Sequence, residues 1–305
     1  MQTKDLDPRL RLIQDADMKG KIVLVRVDHN VVKKGAIKDP YRIDVTFKTL
    51  YAIAEGGGHP ILMTHVGRPK DKKTGKIKCQ EGESVGPIVQ YLEQRLPAKI
   101  RVPEFSLDSG KGILHVDESI KPVVEDLKEA RVDMIYLPNT RWFWGEQSKG
   151  AEREDFAQEL AGLADLFAND AFGSWQAHVS TYDIAKKLPS YAGLHLQKEI
   201  MNLSHVLQPE RPFLGVIGGD KFDTKIGPLK ELYKRADHII LGGLIYNAYL
   251  AAKYQVKIAG ISEEEKNEAI ELVELDRREK KILEMPLLVE SDTTEGKVEG
   301  RNRTI

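Results

Sequence analysis

Short apolar runs alternate along this chain with longer segments in which apolar residues recur every three or four positions. The runs are typical of buried strands, and the longer segments are typical of amphipathic helices. The predicted strands cover 21–27, 60–64, 99–102, 134–137, 166–168, 213–217, 238–241 and 287–289. The predicted helices cover 43–55, 83–96, a segment around 123–127, 156–163, 190–207, 226–236, 244–253 and 263–284. This alternation predicts an α/β fold built on parallel sheets.

The pattern restarts in the last third of the chain. Pro209 and Pro212 follow the predicted helix at 190–207, and a new cycle of strand and helix begins at residue 213. A chain of 305 residues also favours two domains over one. We therefore predict a first domain at 1–188, a hinge helix at 189–209 and a second domain at 210–305. The polar segment 290–305 is predicted to pair with no other element.

Composition narrows the function without identifying it. The chain carries 46 Lys and Arg residues against 47 Asp and Glu residues, so no overall field would attract nucleic acid or an acidic membrane. Any anion site must therefore be a local cluster. No apolar run approaches the roughly 20 residues that cross a bilayer. Cys79 is the only cysteine, which rules out an internal disulfide and favours a reducing compartment. A cytoplasmic location is the resulting expectation.

Four predicted strand ends in the first domain carry polar or basic residues. In open α/β sheets, ligands bind at the carboxyl ends of strands. Each motif alone could be a turn or a surface ion pair, and an Asx turn is favoured for the first. Together they predict a basic funnel for a small, multiply charged acid. The motif residues are Asp28 and Asn30 with Arg42; His65, Gly67 and Arg68; Arg141; and 169–173 followed by Gln176, His178, Ser180 and Thr181.

The second domain offers a different kind of site. Gly218 and Gly219 follow a predicted strand and open a predicted helix, with Lys221 and Lys225 one turn apart. Backbone N–H groups and a helix N-terminus favour an anion there. The glycine spacing fits neither a Walker A loop nor the GxGxxG of dinucleotide-binding folds, which argues against a nicotinamide dehydrogenase. A second pair, Gly242-Gly243, ends the next predicted strand.

Taken in this order, these blocks resemble phosphoglycerate kinase. The matching blocks are 25–30, 65–69, 139–143, 169–173 with 177–181, and 218–227. The resemblance implies two Rossmann-like, three-layer α/β/α lobes with parallel sheets, joined by a hinge helix, the second lobe being incomplete. It also implies phosphoryl transfer between 1,3-bisphosphoglycerate and ADP, giving 3-phosphoglycerate and ATP, by a monomer without nucleic-acid or membrane partners.

The resemblance also implies a role for each site residue. Asp28 and Asn30 would bind the glycerate part. Arg42 and Lys221 would be catalytic, and Arg42 would also bind the substrate. Mg²⁺ would accompany ATP or ADP, with its protein ligand expected beyond Ile305. The other implied substrate-binding residues are His65, Gly67, Arg68, Arg141 and His178. The implied nucleotide-binding residues are Gly218, Gly219, Lys221, Lys225, Gly242 and Gly243.

Three departures from the family pattern leave an alternative open. Gln176 stands where the family has a substrate-binding arginine, and Leu244 stands where it has a third glycine. The family's later glycine-rich phosphate loop and its acidic Mg²⁺ ligand find no match before Ile305. The alternative is a non-catalytic homologue, or a fragment, that binds an acidic metabolite or a protein partner.

Overall fold

A computed structural model describes residues 6–219, 223–284, 287–289 and 302–304. The chain divides into two compact units, Met1–Asn202 and Leu203–Ile305. The division falls inside the 189–209 segment for which the sequence predicts a hinge. That this segment acts as a hinge stays a prediction.

All eight predicted strands coincide with observed strands. In chain order, the strands are β1 (Ile22–Arg26), β2 (Val32–Lys33), β3 (Ala36–Ile37), β4 (His59–Met63), β5 (Ile100–Arg101), β6 (Leu107–Asp108), β7 (Gly112–Ile113), β8 (Met134–Tyr136), β9 (Leu166–Asn169), β10 (Ser190–Ala192), β11 (Leu214–Ile217), β12 (His238–Leu241), β13 (Ile282–Leu283), β14 (Leu287–Val289) and β15 (Asn302–Thr304).

The helices follow the predicted segments with some changes. They are α1 (Tyr41–Asp44), α2 (Phe47–Glu55), α3 (Gly86–Arg95), α4 (Ile120–Lys128), α5 (Ala151–Ala161), α6 (Leu194–Ser204), α7 (Asp223–Arg235), α8 (Gly243–Tyr254) and α9 (Glu263–Glu279). None of the helices in the described ranges is long and apolar enough to span a bilayer.

The first unit is a three-layer α/β/α structure. Its six strands run parallel in the order β10-β9-β1-β4-β8-β5. Because side chains alternate along a strand, Val23 and Val25 of β1 enter one core with residues of α2 and α3. Leu24 enters the opposite core with residues of α4 and α5. All five residues of β1 are buried, as expected for the centre of a covered parallel sheet.

The register of this sheet places four predicted motifs at one edge. Arg26, the last residue of β1, pairs with Met63 of β4 on one side and with Asn169 of β9 on the other. Leu62 of β4 pairs in turn with Tyr136 of β8. The loops that follow these four strands are therefore neighbours, although the first and the last of them lie more than 140 residues apart in sequence.

The second unit contains a three-stranded parallel sheet, β11-β12-β13. One face packs on α7, α8 and α9 around Leu229, Ile239, Tyr249 and Leu272. The other face carries Leu214 and Val216, which are 48% and 67% exposed. The α/β class with parallel sheets is thus present in both units.

Four predictions about secondary structure differ from the structure. The segment 190–207 is not one helix, because Tyr191 pairs with Ala168 in the sheet before α6 begins. The carboxylate of Asp170 then accepts hydrogen bonds from the backbone N–H groups of His195 and Leu196, in the first turn of α6. The segment 43–55, predicted as one helix, is divided between two helices, α1 and α2.

The prediction that 290–305 pairs with no element is also wrong. Within this segment, β15 pairs antiparallel with β14, so that Leu288 is opposite Arg303. The polar composition of the segment hid a strand whose partner lies immediately before it. The prediction for 263–284 was too long, because α9 ends at Glu279 and β13 follows.

Candidate functional site

The candidate site of the first unit lies at the carboxyl-end edge of its sheet, and its best-defined contact joins Arg26 to His65. An Nη atom of Arg26 lies 3.0 Å from Nδ1 of His65. A guanidinium can only donate, so Nδ1 accepts and the ring hydrogen of neutral His65 sits on Nε2. Burial and the positive charge of Arg26 lower the pKa of His65 to about 2. His65 is therefore a neutral hydrogen-bond donor at physiological pH.

A buried network of charged and polar side chains holds Arg26 in place for this contact. Arg26 is 1% exposed, and its Nε donates to Oγ of Ser180 at 2.9 Å. Ser180 donates from Oγ to Glu146 at 2.6 Å and from its backbone N–H to the same carboxylate at 2.9 Å. Burial raises the pKa of Glu146, while Arg26 opposes that rise. Ser180 thus links a buried cation to a buried anion beneath the site.

Asn139, also fully buried, joins two of the site loops. Its Oδ1 accepts from the backbone N–H groups of Val66 at 3.0 Å and Arg141 at 3.1 Å. Its Nδ2 donates to the carbonyls of Val66 at 2.7 Å and Glu83 at 3.0 Å. The side chain of Arg141 adds a bond to the carbonyl of Gly67. The loop after β4 is therefore tied to the loop after β8.

Asp28 and Arg42 form a long ion pair. Asp28 is 7% exposed, and Ser174 donates to its Oδ1 at 3.2 Å. Nη1 of Arg42 lies 3.4 Å from Oδ2 of Asp28, and the Arg42 side chain is 51% exposed. Gly173 packs so closely on Asp28 that a Cβ there would lie 2.4 Å from its Oδ2. Arg42 is thus the more accessible partner.

Asn30 and Gly67 are in contact across neighbouring loops. The backbone N–H of Gly67 donates to Oδ1 of Asn30 at 3.0 Å. Gly67 has φ +61°, and a Cβ there would lie 2.1 Å from Oε1 of Glu83. The same Oε1 accepts from the backbone N–H of Arg68 at 3.1 Å. This turn therefore requires glycine, both for its backbone angle and for the close approach of Glu83.

Two cavities open on either side of this turn. One, of about 430 Å³, is lined by Asn30, Val31, Val32, Lys33, Lys38, Asp39, Arg42 and Gly67. The other, of about 510 Å³, is lined by Arg68, Lys70, Asp71, Lys72, Gly75, Arg141, Gln147, Gln176 and His178. We call the second one the larger cavity. Its wall carries four lysine or arginine side chains against one carboxylate, which suits an anion.

The larger cavity contains both His178 and Gln176. Nε2 of Gln147 lies 3.3 Å from Nε2 of His178, so an amide donor faces the ring. Burial and the charge of Arg141 lower the pKa of His178 to about 4. Arg141 keeps an enclosed Nε atom with no hydrogen-bond partner among the described residues. Gln176, placed by the sequence at a substrate position, adds a neutral amide to this wall.

The structure therefore brings the predicted substrate residues of the first unit into one region. Asn30, Arg42 and Gly67 line the smaller cavity, and Arg68, Arg141 and His178 line the larger one. Asp28 and His65 lie at the same edge, in contact with Arg42 and Arg26. Their roles in binding stay predictions.

The glycine pairs of the second unit lie backbone to backbone. A Cβ at Gly218 would lie 3.6 Å from the carbonyl group of Gly242. Gly243 has φ +63°, and a Cβ there would lie 3.0 Å from the carbonyl oxygen of Gly219. The two strand ends thus form a floor without side chains, beside the N-terminus of α8. Lys221 lies outside the described residues, and the backbone of Lys225 lies in the first turn of α7.

Sequence reasoning missed the support beneath the site. Arg26, Glu146 and Asn139 carried no predicted role, and Ser180 was noted only as part of a motif. The one usable signal was Arg26 itself, a charge at the end of an otherwise apolar strand. Its partner Ser180 is 154 positions away, so spacing could not reveal it. Within the described residues, no group of three or more His, Cys, Asp or Glu side chains is placed to hold a metal.

Comparisons with known proteins agree on one family. A family model described as phosphoglycerate kinase matches residues 13–304. The curated phosphoglycerate kinase of Azorhizobium caulinodans is 37% identical over 249 residues, which are 81% of this chain and 58% of that protein. The chain thus spans less than two thirds of that relative's length.

Two solved structures share the fold. Phosphoglycerate kinase from Coxiella burnetii matches with a TM-score of 0.72 at 24% identity, covering 95% of this chain and 69% of that one. The enzyme from Pyrococcus horikoshii matches with a TM-score of 0.66 at 20% identity, covering 97% and 71%. These two likenesses bear on the fold alone.

Proposed function

Because the chain belongs to the phosphoglycerate kinase family, we propose that it serves phosphoryl transfer between 1,3-bisphosphoglycerate and ADP, giving 3-phosphoglycerate and ATP. The first unit binds the phosphoglycerate, and the glycine floor of the second unit binds the nucleotide. We also propose that the protein is a monomer and that it is located in the cytoplasm.

The observation that carries the proposal is the larger cavity. Arg68 and Arg141 present guanidinium groups that suit the planar, bidentate binding of a phosphate or carboxylate. Arg141 lines this cavity and is half-buried, so part of its side chain is accessible to a ligand. The family membership makes phosphoglycerate the expected anion.

Arg42 fits the role of the arginine that meets the transferred phosphoryl group. Its only charged partner among the described residues is Asp28, at 3.4 Å. The Arg42 side chain is 51% exposed and this contact is long, so its guanidinium is accessible to a ligand. The smaller cavity beside it gives a ligand room to reach the guanidinium.

The reaction needs no general base on the protein. The attacking group is already ionised at neutral pH in either direction: it is a phosphate oxygen of ADP in the direction written, and in reverse it is the carboxylate of 3-phosphoglycerate, whose intrinsic pKa is about 4. Catalysis then consists of positioning the two substrates and neutralising the phosphoryl oxygens. Arg42 and Lys221 would supply protein cations, and Lys225 would neutralise the nucleotide phosphates. Mg²⁺ bound with the nucleotide would supply further positive charge.

The floor formed by Gly218, Gly219, Gly242 and Gly243 suits a nucleotide for a steric reason. A Cβ at Gly243 would lie 3.0 Å from the carbonyl oxygen of Gly219, whereas glycines leave N–H groups exposed to a ligand. No described carboxylate cluster suits Mg²⁺, so we assign no protein ligand to the metal.

Calorimetric titration with 3-phosphoglycerate tests the substrate assignment. We expect binding, and we expect Arg68→Ala to weaken it about 10- to 150-fold, the worth of a charge-assisted hydrogen bond. Arg68 is exposed and bonds only through its backbone to described residues, so the fold should survive. Arg101→Ala removes an equal charge from an exposed pair with Asp126 and should leave binding unchanged. Absence of binding at millimolar ligand would refute the assignment.

A coupled ATP assay tests turnover. It should be run on this chain and on a version extended at its C-terminus to the length of the relatives. Arg42→Ala should abolish most of the activity of whichever version turns over.

Gln176 supports a second candidate, a homologue that binds an acidic metabolite without turnover. Its neutral amide lies in the wall of the larger cavity, where a cation would bind an anion more strongly. Binding of 3-phosphoglycerate combined with an inactive extended protein would favour this candidate.

A further inference from the structure

The larger cavity carries more positive charge than the proposed substrate residues supply. Besides Arg68 and Arg141, its wall includes Lys70 and Lys72, which follow Arg68 in the same loop. Neither lysine has a role in the function proposed above. The single acidic residue in the wall is Asp71.

Asp71 offsets only one of the four positive charges in the wall, and its carboxylate is held by the loop backbone. Oδ1 of Asp71 accepts from the N–H groups of Lys73 and Thr74, both at 2.9 Å. These hydrogen bonds lower the pKa of Asp71. The carboxylate thus acts as the anchor of a turn.

The loop that carries the two lysines is ordered by its own backbone. Lys70 pairs with Ile77 in an antiparallel bridge. The N–H of Asp71 donates to the carbonyl of Lys76 at 2.8 Å, and the N–H of Gly75 donates to the carbonyl of Asp71 at 2.9 Å. Residues 70–77 therefore form a closed turn that presents Lys72 at its tip.

Lys70 and Lys72 differ in what holds them. The ammonium of Lys70 lies 5.2 Å from the ring centroid of Trp144, and the same ring takes Lys111 at 5.5 Å. This cation–π contact occupies Lys70. Lys72 forms no hydrogen bond, ion pair or ring contact with any described residue, so its ammonium group is available to a ligand.

We propose that Lys72 binds the phosphate group of the substrate in the larger cavity, together with Arg68 and Arg141. The inference rests on the proposed function. A phosphate monoester carries a charge of about −1.5 to −2 at neutral pH. An ammonium on a long, flexible stem can follow it as a point charge, where the two guanidinium groups bind its oxygens directionally. Gln176, in the same lining, is neutral and adds no positive charge to the cavity.

Lys73 offers a matched control. It is exposed, it neighbours Lys72 in the same turn, and it does not line the cavity. Lys72→Ala and Lys73→Ala therefore remove the same net charge from nearly the same place. Lys72→Arg keeps the charge and should keep the affinity, which a merely structural role for the lysine would not predict.

The experiment is a titration of each variant with 3-phosphoglycerate and with glycerate, which lacks the phosphate. We expect Lys72→Ala to raise the dissociation constant for 3-phosphoglycerate about three- to tenfold, as befits an exposed charge-assisted contact. Lys73→Ala should change it less than about twofold. Glycerate affinity should be the same in all variants, and the Lys72 effect should shrink at high salt.

The outcomes separate the inference from the function on which it rests. If the unmodified chain binds 3-phosphoglycerate but Lys72→Ala and Lys73→Ala behave alike, Lys72 has no role and the proposed function stands. If Lys72→Ala weakens glycerate equally, the lysine does not bind the phosphate. If the unmodified chain binds no 3-phosphoglycerate, the proposed function falls, and this inference falls with it.

Discussion

The two parallel sheets of this chain differ in how their faces are covered. In the first unit, β1 is buried along its whole length, with α2 and α3 on one face and α4 and α5 on the other. In the second unit, helices cover one face of the sheet, and Leu214 and Val216 of β11 are largely exposed on the other. A parallel sheet is thus buried on both faces at β1 in one unit, whereas in the other unit one face of β11 exposes apolar side chains.

This difference shows that an apolar run predicts a parallel strand, but it does not predict whether other elements pack on both faces of that strand. Residues 22–25 all carry large apolar side chains, residues 214–217 do so except for Gly215, and both segments lie in parallel strands. Parallel sheets normally have both faces buried, so the sequence of β11 suits a strand with apolar neighbours on both sides. In the structure, only alternate residues of β11 have such neighbours.

Each unit also contains a buried carboxylate, and the two carboxylates differ in the charge of the groups around them. Glu146 of the first unit is joined to Arg26 through Ser180. Asp276 of the second unit accepts from the hydroxyls of Tyr233 at 2.9 Å and Tyr249 at 3.0 Å, and from the N–H of Ile282 at 3.0 Å. One carboxylate therefore has a buried cation nearby, and the other has neutral donors.

The largest expected effect comes from breaking the charged network of the first unit. Glu146→Leu leaves the buried Arg26 without its counter-charge, which should cost about 3–5 kcal/mol in free energy of unfolding. Asp276→Asn keeps the shape and one acceptor, and should cost about 1–3 kcal/mol. All three tryptophans (Trp142, Trp144 and Trp175) lie in the first unit, so tryptophan fluorescence in urea follows that unit, and far-ultraviolet circular dichroism follows both.

A loss below about 1 kcal/mol for Glu146→Leu would contradict the reading of Glu146 as the counter-charge of Arg26. Glu146→Gln, which retains the acceptor for Ser180, should fall between the wild-type protein and Glu146→Leu.

A matched pair of leucine truncations measures the cover of each sheet directly. Leu24→Ala deletes a side chain with 0% exposure and should cost about 2–5 kcal/mol. Leu214→Ala deletes one that is 48% exposed and should cost less than about 1 kcal/mol. Urea denaturation by the same two signals gives both values. Equal losses would mean that the outer face of β11 is covered in solution.

A further difference between the units concerns their response to acid, and it should arise in the first unit. His29 is fully buried between Tyr136 and Thr46, and burial lowers its pKa to about 3. The unfolded chain binds a proton near pH 6.5, so between that value and the folded pKa the unfolded state holds more protons. Stability should therefore fall as pH drops from 7 to 5, by about 2 kcal/mol for His29 alone. His205 and His238 of the second unit are exposed.

His29→Phe removes this titration and should flatten the dependence of unfolding free energy on pH, whatever its effect at pH 7. His65, with a pKa of about 2, should contribute with the same sign. Unchanged pH dependence in His29→Phe would mean that His29 is not buried in its neutral form.

The sequence predicted the fold well where local pattern and topology coincide. The eight strands follow from apolar runs, and the convergence of Asn30, Arg42, Arg68, Arg141 and His178 follows from the rule that parallel strands end at one edge. The failures have a common cause. Tyr191 joins β10, and Asn302 begins β15, because partner strands were available to them, and a local pattern contains no information about partners. The buried Arg26 and Glu146 were missed for the same reason, since burial of a charge is decided by residues far away in sequence.

The carboxamide of Asn139 has a consequence for any ligand of the larger cavity. With all four of its hydrogen bonds made to backbone groups on the loops around Val66, Glu83 and Arg141, neither loop can shift without the other. Arg68 and Arg141 are therefore held in a fixed position relative to each other when an anion binds. Their contributions to affinity should be cooperative, so that losing either arginine forfeits much of what the other provides, and the double variant should bind hardly more weakly than the worse of the two single ones.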